Sequence, residues 1–271
     1  MSHDLLEIRN LDVDYLLDKG EFRAVKNVSF NIGRGELFGL AGESGCGKST
    51  IAYAITRLSK VPAWVAGGEI FLDGQDLLKL PEGDMQRIRW KRVGMVFQSA
   101  MNSLNPLMRI DAQFHDVLYR HTGCSKSQSR EQAEAMFRLV GIPVSRITDY
   151  PHQFSGGMRQ RIVIAICLAL RPELIIMDEP TTALDVVVQR EILEQVIDLQ
   201  QTYGFSVLFI THDLHLMAQL CHRIGVMLKG ELVEVGDVKQ VSQSPEHAYT
   251  RKLWNAIPQL PGHRHLAGET A

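Results

Sequence analysis

Gly42-Glu43-Ser44-Gly45-Cys46-Gly47-Lys48-Ser49 follows the pattern G-x-x-x-x-G-K-[ST], and its setting decides the fold. Leu37-Phe38-Gly39-Leu40-Ala41 enters it as a short apolar strand, and Ser49 to Leu58 leaves it with a helical pattern. Strand, glycine-rich turn and helix in that order make a phosphate cradle. The glycines let successive N–H groups converge on phosphate oxygens, and the helix adds its positive dipole end. Lys48 has the reach for β- and γ-phosphates, and the Ser49 hydroxyl is a ligand for Mg²⁺. Gly42, Ser44, Gly45, Cys46, Gly47, Lys48, Ser49 and Thr50 are therefore nucleotide-binding candidates, with Cys46 at a variable position that reads as a spacer.

Outward from the loop, strands and helices alternate. Leu6, Ile8, Leu11, Val13 and Tyr15 keep a period of two with a break near Asn10. Asp18-Lys19-Gly20-Glu21 reads as a turn, Ala24–Ile32 as the returning strand, and Glu69–Leu72 as a strand closed by Asp73-Gly74. Residues 99–165 are mostly helical; Ala133, Met136, Phe137 and Val140 repeat at helical spacing behind an expected Ser129-x-x-Gln132 capping box. Leu174–Asp178 and Ser206–Thr211 read as buried strands around a helix at roughly 187–202, and Lys229-Gly230 as a hairpin turn. This order predicts an α/β core with a largely parallel sheet.

Composition excludes several classes. Lys plus Arg number 29 and Asp plus Glu 31, so the net charge is −2, with 45% apolar residues. That is too apolar and too evenly charged for a disordered chain, and offers nothing to a whole-surface nucleic-acid binder. The longest apolar run, Ile162–Leu170, has nine residues, against the roughly 20 needed to span a membrane. The first residues, MSHDLLEIRN, lack a signal-peptide pattern. Cys46, Cys124, Cys167 and Cys221 form no C-x-x-C pair, which argues against a disulfide framework and for a reducing compartment.

Two further motifs carry chemistry. The apolar strand Leu174–Met177 ends in Asp178-Glu179, delivering two carboxylates to the edge where ligands bind in open α/β sheets. Asp178 is placed to hold Mg²⁺ and Glu179 to polarise an attacking water, which suits phosphoanhydride hydrolysis. Upstream, Ser155-Gly156-Gly157 opens an apolar helix and forms a second anion-binding helix terminus.

Phe154-Ser155-Gly156-Gly157-Met158 resembles the L-S-G-G-Q signature of the ATP-binding cassette (ABC) ATPases. The resemblance covers about residues 5–261, with Phe154 in place of leucine and Met158 in place of glutamine. It implies a P-loop NTPase core of ABC type with an antiparallel β subdomain and an inserted α-helical subdomain. It further implies that the signature of one subunit caps the γ-phosphate of ATP held by another in a head-to-tail dimer. By the same resemblance Gln98 contacts Mg²⁺ and the attacking water. Asp185, in Ala183-Leu184-Asp185, faces the partner, His212 contacts the γ-phosphate, and Tyr15 stacks on adenine. Catalysis then falls to Glu179, His212, Gln98 and Lys48, and the metal to Ser49, Gln98 and Asp178.

Ser103-Leu104-Asn105-Pro106, the methionine variant of the signature, and Pro245-Glu246-His247-Ala248-Tyr249-Thr250 with Ala256-Ile257-Pro258 look like the oligopeptide/dipeptide/nickel importer ATPases. That likeness implies two permease subunits, a second ATPase (a paralogue or the chain itself), a solute-binding protein, and a peripheral place on the cytoplasmic face of the inner membrane. Many longer members of that subfamily continue into a cysteine-bearing tail that can hold an iron–sulfur cluster; no cysteine follows Cys221, so no such cluster is expected. Expected divisions are 1–98 with 166–235 as the nucleotide-binding core, 99–165 as the helical subdomain and 236–271 as an extension. Oligosaccharide or nickel import, a soluble non-transport ABC ATPase, a small-molecule kinase and a non-hydrolytic module are the competing readings.

Overall fold

Period-two patterning folds Asp4–Leu17 (β1) and Gly20–Gly33 (β2) into a long antiparallel pair, which Ala63–Leu72 (β4) and Gln75–Asp76 (β5) extend to the order β2-β1-β4-β5. The computed structural model describes residues 4–18, 20–98, 103–181 and 184–256. They fall into two units, Met1–Pro81 with Ser206–Ala271, and Glu82–Phe205.

The first unit also holds Leu37–Gly42 (β3), parallel to both Ser206–Ile210 (β8) and Arg223–Leu228 (β9), with Glu231–Asp237 (β10) antiparallel on β9. Every residue of β3 and β8 is buried, as strands of a parallel sheet require. Phe30 of β2 stacks on Phe38 of β3 at 5.0 Å, so the antiparallel sheet and the parallel strands share a core. The break near Asn10 is a bulge: Asn10 has φ +48, and the β1–β4 register shifts between Arg9 and Asp12, opposite Gly67-Gly68. The helices are Lys48–Thr56 (α1), and, after a stretch given below, Leu214–Leu220, Val238–Gln243 and Ala248–Asn255 (α7, α8 and α9). The expected turn at Lys229-Gly230 joins β9 to β10, while the Lys19 part of the first turn lies outside the described residues.

The second unit contains Glu82–Ile88 (α2), Val93–Val96 (β6), Ile110–Thr122 (α3), Lys126–Leu139 (α4), Gly156–Leu168 (α5), Leu174–Asp178 (β7) and Val186–Tyr203 (α6). β6 and β7 pair in parallel. Phe114 meets Phe137 edge-on at 6.0 Å and locks α3 to α4. One expectation needs correction. The capping box of α4 is Ser125-x-x-Gln128, four residues before the expected Ser129-x-x-Gln132. Ser129 lies inside the helix, buried against His115, and Gln132 donates to the Ala169 carbonyl. The nine-residue apolar run lies mostly in α5, and among the described residues no helix is long and apolar enough to cross a membrane.

Candidate functional site

Gly42 ends β3 with φ +147, and a Cβ there would sit 2.4 Å from the Met227 carbonyl, so glycine is obligatory where the chain turns into the loop. Gly47 then opens α1, and no side chain caps that helix. A helix start turns its first N–H groups toward what lies beyond its N-terminus, the arrangement an anion requires. The Lys48 ammonium is buried and donates to the carbonyls of Gly42 (2.7 Å) and Glu43 (2.8 Å), with Cys46 Sγ at 3.6 Å. Cys46 is also tied by its carbonyl, which accepts the Gly230 N–H at 3.1 Å. Its spacer reading thus acquires a structural task.

Tyr15 reaches the helix that follows the loop: its hydroxyl lies 3.2 Å from Thr50 Oγ1. His212 is exposed in the link between β8 and α7, where Asp213 caps α7 by accepting the Leu216 N–H at 3.0 Å. Tyr15, the loop, Ser49, Thr50 and His212 all belong to the first unit.

In the second unit β7 is buried throughout and brings Asp178, 2% exposed, to its carboxyl end. Glu179 follows with φ +44, a left-handed conformation that costs a non-glycine residue roughly 1–3 kcal/mol and gathers at functional sites. Gln98, just after β6, donates its amide N–H to Glu179 Oε2 at 2.8 Å. The parallel β6–β7 pairing sets these two side chains next to each other across 81 residues of chain.

Ser155 caps α5 by accepting the Met158 N–H at 3.3 Å, and Asp185 caps α6 by accepting the Val188 N–H at 3.0 Å. The two helix starts line one cavity of about 400 Å³ with Gly156, Gly157, Arg161 and Glu191. Arg161 and Glu191 pair across it at 2.9 Å. A Cβ on Gly157 would lie 2.6 Å from Val188 Cγ1, so the signature glycine sets how closely α5 approaches α6. Ala183 of the Ala183-Leu184-Asp185 stretch and Ile257-Pro258 of the tail lie outside the described residues.

Arg146 was not singled out by its sequence, yet it joins both departures from the signature. Its guanidinium lies 4.3 Å from the Phe154 ring centre and donates to Met158 Sδ at 3.6 Å. No spacing rule connects position 146 to 154 and 158; only the arginine's length and the aromatic ring hint at it.

The donor set fits nucleotide and Mg²⁺. A helix start without a side-chain cap and the lysine at its head suit a polyphosphate. In the first unit Ser49 carries a hydroxyl, and in the second Gln98 and Asp178 carry amide and carboxylate oxygens, donors of the kind a hard cation takes. Among the described residues no group of three or more His, Cys, Asp or Glu could hold a metal by itself. Cys167 is fully buried, and loss of solvent pushes its thiol up to about 12, so it is no ligand or nucleophile at neutral pH.

The ABC transporter family model matches residues 25–182. An oligopeptide transport ATP-binding protein, OppD of Bacillus subtilis (strain 168), is 44% identical over 94% of this chain and 72% of its own length. A dipeptide transport ATP-binding protein, DppD of Lactococcus lactis subsp. cremoris (strain MG1363), is 43% identical over 94% and 74%. Among solved structures, the dimeric post-hydrolysis state of the ATP-binding cassette MJ0796 bound to ADP and Pi superposes with a TM-score of 0.76 at 29% identity, covering 86% of this chain and 98% of that one. CbiO1 of Clostridium perfringens, part of the transporter complex cbiONQ, gives 0.74 at 25% identity over 94% and 96%. With its phosphate loop, its Gln98–Glu179 pair and its Ser155-Gly156-Gly157 helix start, the chain belongs to the ABC transporter family, as an ATP-binding cassette ATPase.

Proposed function

We propose that this chain is the ATP-hydrolysing subunit of a peptide importer. The observation that carries hydrolysis is the Gln98 amide bonded to Glu179 at 2.8 Å, beside the buried Asp178. Gln98 orients the Glu179 carboxylate, and Glu179 takes a proton from the attacking water as its oxygen bonds to the γ-phosphorus and the bond to the β–γ bridging oxygen breaks, leaving ADP and inorganic phosphate. Lys48 leaves the loop carbonyls to neutralise β- and γ-phosphate charge, with the α1 N–H groups cradling the β-phosphate. Ser44, Gly45, Gly47 and Thr50 complete the cradle, Tyr15 stacks on adenine and His212 contacts the γ-phosphate. Ser49, Gln98 and Asp178 would hold Mg²⁺, which would supply charge neutralisation at the phosphates.

The second half of each site comes from another subunit. Ser155, Gly156 and Gly157 cap its γ-phosphate, and Asp185 faces it. The cavity where these residues meet and the dimeric cassettes among the structural neighbours support that reading. The partners are two permease subunits, a paralogous ATPase and a solute-binding protein, and the chain sits peripherally on the cytoplasmic face of the membrane. Peptide as cargo is supported by the relatives' own descriptions and by the tail Pro245–Thr250. Residues 99–165 serve as the helical subdomain, with 1–98 and 166–235 as the nucleotide-binding core and 236–271 as the extension.

Glu179→Gln tests the assignment. It is expected to keep ATP binding, to lower turnover at least 100-fold, on the order expected for a lost general base, and to trap an ATP-bound dimer on gel filtration. Hydrolysis at the parental rate would refute the base.

A further inference from the structure

The Ser155-Gly156-Gly157 start of α5 has few handles of its own. Its two glycines carry no side chain, and Ser155 is exposed, its hydroxyl accepting the Met158 N–H at 3.3 Å. Where the tripeptide sits is therefore decided by what grips the residues around it. Val188 of α6 backs Gly157. Gln153 and Phe154 before the tripeptide, and Met158 after it, are all gripped by Arg146.

Arg146 stands on a fixed base. It closes the 3-10 turn Val144–Arg146, and the chain beyond it stays bonded, Ile147 N–H to the Val144 carbonyl at 3.1 Å and Asp149 N–H to the Arg146 carbonyl at 2.9 Å. The carbonyls of Ile147 and Asp149 accept the N–H groups of Asp111 (3.0 Å) and Ile110 (3.1 Å), which open α3. A helix start leaves such donors without partners in its own helix, so main-chain bonds alone dock this segment on α3.

From that base one planar group meets four neighbours. Nε donates to Asp149 Oδ2 at 2.9 Å, which balances the charge and fixes the plane. Nη2 donates to the Gln153 carbonyl at 2.7 Å, and Nη1 to Met158 Sδ at 3.6 Å. The guanidinium carbon lies 4.3 Å from the centre of the buried Phe154 ring. A lysine ammonium is a point charge and does not combine ring stacking with a rigid fork of donors.

We infer that Arg146 is a positioning residue for the signature: by joining Gln153, Phe154 and Met158 it sets the place at which Ser155, Gly156 and Gly157 are offered to the γ-phosphate of the other subunit. The inference rests on the two-subunit reading above. Arg146 acts through the tripeptide, and the phosphate loop, in the first unit, does not depend on it.

The test uses the full chain. Arg146→Met keeps a long apolar stem and removes the fork. Misplacement of a positioning element predicts a loss of turnover of about 10- to 100-fold, with a matching weakening of the ATP-bound dimer in the Glu179→Gln background. Amide exchange at Met158 and Arg159, which bond to the Ser155 hydroxyl and carbonyl, is expected to accelerate. Affinity for a fluorescent ATP analogue, measured at a chain concentration too low to dimerise, should stay at the parental value. Arg146→Lys is expected to fall between parent and Arg146→Met. Parental turnover in Arg146→Met, or faster exchange confined to Ile147 and Asp149, would overturn the inference, because that pattern belongs to an arginine that only ties its own turn. A fall in analogue affinity as large as the fall in turnover would overturn it as general damage, and full activity in Arg146→Lys would show that the fork is not needed. Absence of an ATP-bound dimer in the Glu179→Gln chain itself would strike the two-subunit reading first; exchange at Met158, read on the single chain, still decides whether Arg146 seats the tripeptide.

Discussion

Gly157→Ala probes how the signature helix is seated. The added Cβ lies 2.6 Å from Val188 Cγ1, where carbon atoms prefer about 3.5–4.0 Å, so roughly 1 Å of separation must be made. Val188 is β-branched and helical, with essentially one χ1 rotamer available, so the relief comes from α5 moving away from α6. Overpacking of this kind costs about 1–3 kcal/mol, and alanine returns about 1 kcal/mol in helix propensity. The net is about 0–2 kcal/mol, a fall in melting temperature of a few degrees. Activity responds more strongly, because a displacement of about 1 Å of a positioning element costs on the order of 100-fold in rate. Val188→Ala supplies the control: the side chain is only half-buried, so its truncation is mild, and in the double variant the obstacle is gone. The assay is ATP turnover with thermal unfolding across the four-member cycle. The expected result is a large rate loss in Gly157→Ala that Val188→Ala substantially restores. Parental turnover in Gly157→Ala, or a double variant no faster than the single one, would show that the Gly157–Val188 approach does not set the helix.

Three other expectations follow from named contacts. Lys48→Ala removes the ammonium from Gly42 and Glu43 and from the phosphates; charge-assisted bonds predict a loss of ATP affinity of about 10- to 100-fold, and undiminished affinity in a titration would contradict the cradle. Ser125→Ala breaks the α4 capping box and is expected to cost about 0.5–2 kcal/mol, with faster amide exchange at Gln128 specifically; protection retained there would return the cap to Ser129. Glu234 is opposed by burial, but Thr250 and the N–H groups of Glu246 and His247 outweigh it and hold its carboxyl below the ordinary 4.5. A depressed folded value means its stabilisation is complete above 4.5 and is lost as pH falls through that lower value. Acid titration of Trp254 fluorescence, with Trp64 and Trp90 replaced by Phe, should show α9 released in that range. A signal flat down to global unfolding would refute it.

What the sequence made readable was local turn and strand chemistry. Gly42–Ser49, the apolar strand ending in Asp178-Glu179, and Lys229-Gly230 each carry their conformational reason within a few residues, and the structure has strand, turn and helix where they were expected. The α4 cap slipped because Ser125/Gln128 and Ser129/Gln132 satisfy the same local rule. Tertiary contacts chose between them, placing Ser129 against His115 and Gln132 on the Ala169 carbonyl. β4 begins at Ala63, not Glu69, because residues 63–68 alternate between half-buried and exposed and gain their strand character from pairing with β1, Tyr15 opposite Ala63 and Val13 opposite Val65. At the site, the motif residues were legible one at a time, but their supports were not. The Tyr15–Thr50 contact and Arg146 beside Phe154 and Met158 join positions that no periodicity relates.

The inward-folded Lys48 has a consequence for selectivity. By spending its donors on Gly42 and Glu43, the lysine acts as an internal counter-ion that keeps the loop curled before any phosphate arrives. Much of the ordering entropy is then lost during folding and not at the moment of association, which favours tight capture of a ligand that matches the curl. The same arrangement sets a threshold. An incoming anion must replace two carbonyl bonds at the ammonium before it gains anything, which favours a ligand that brings several charged oxygens to one lysine.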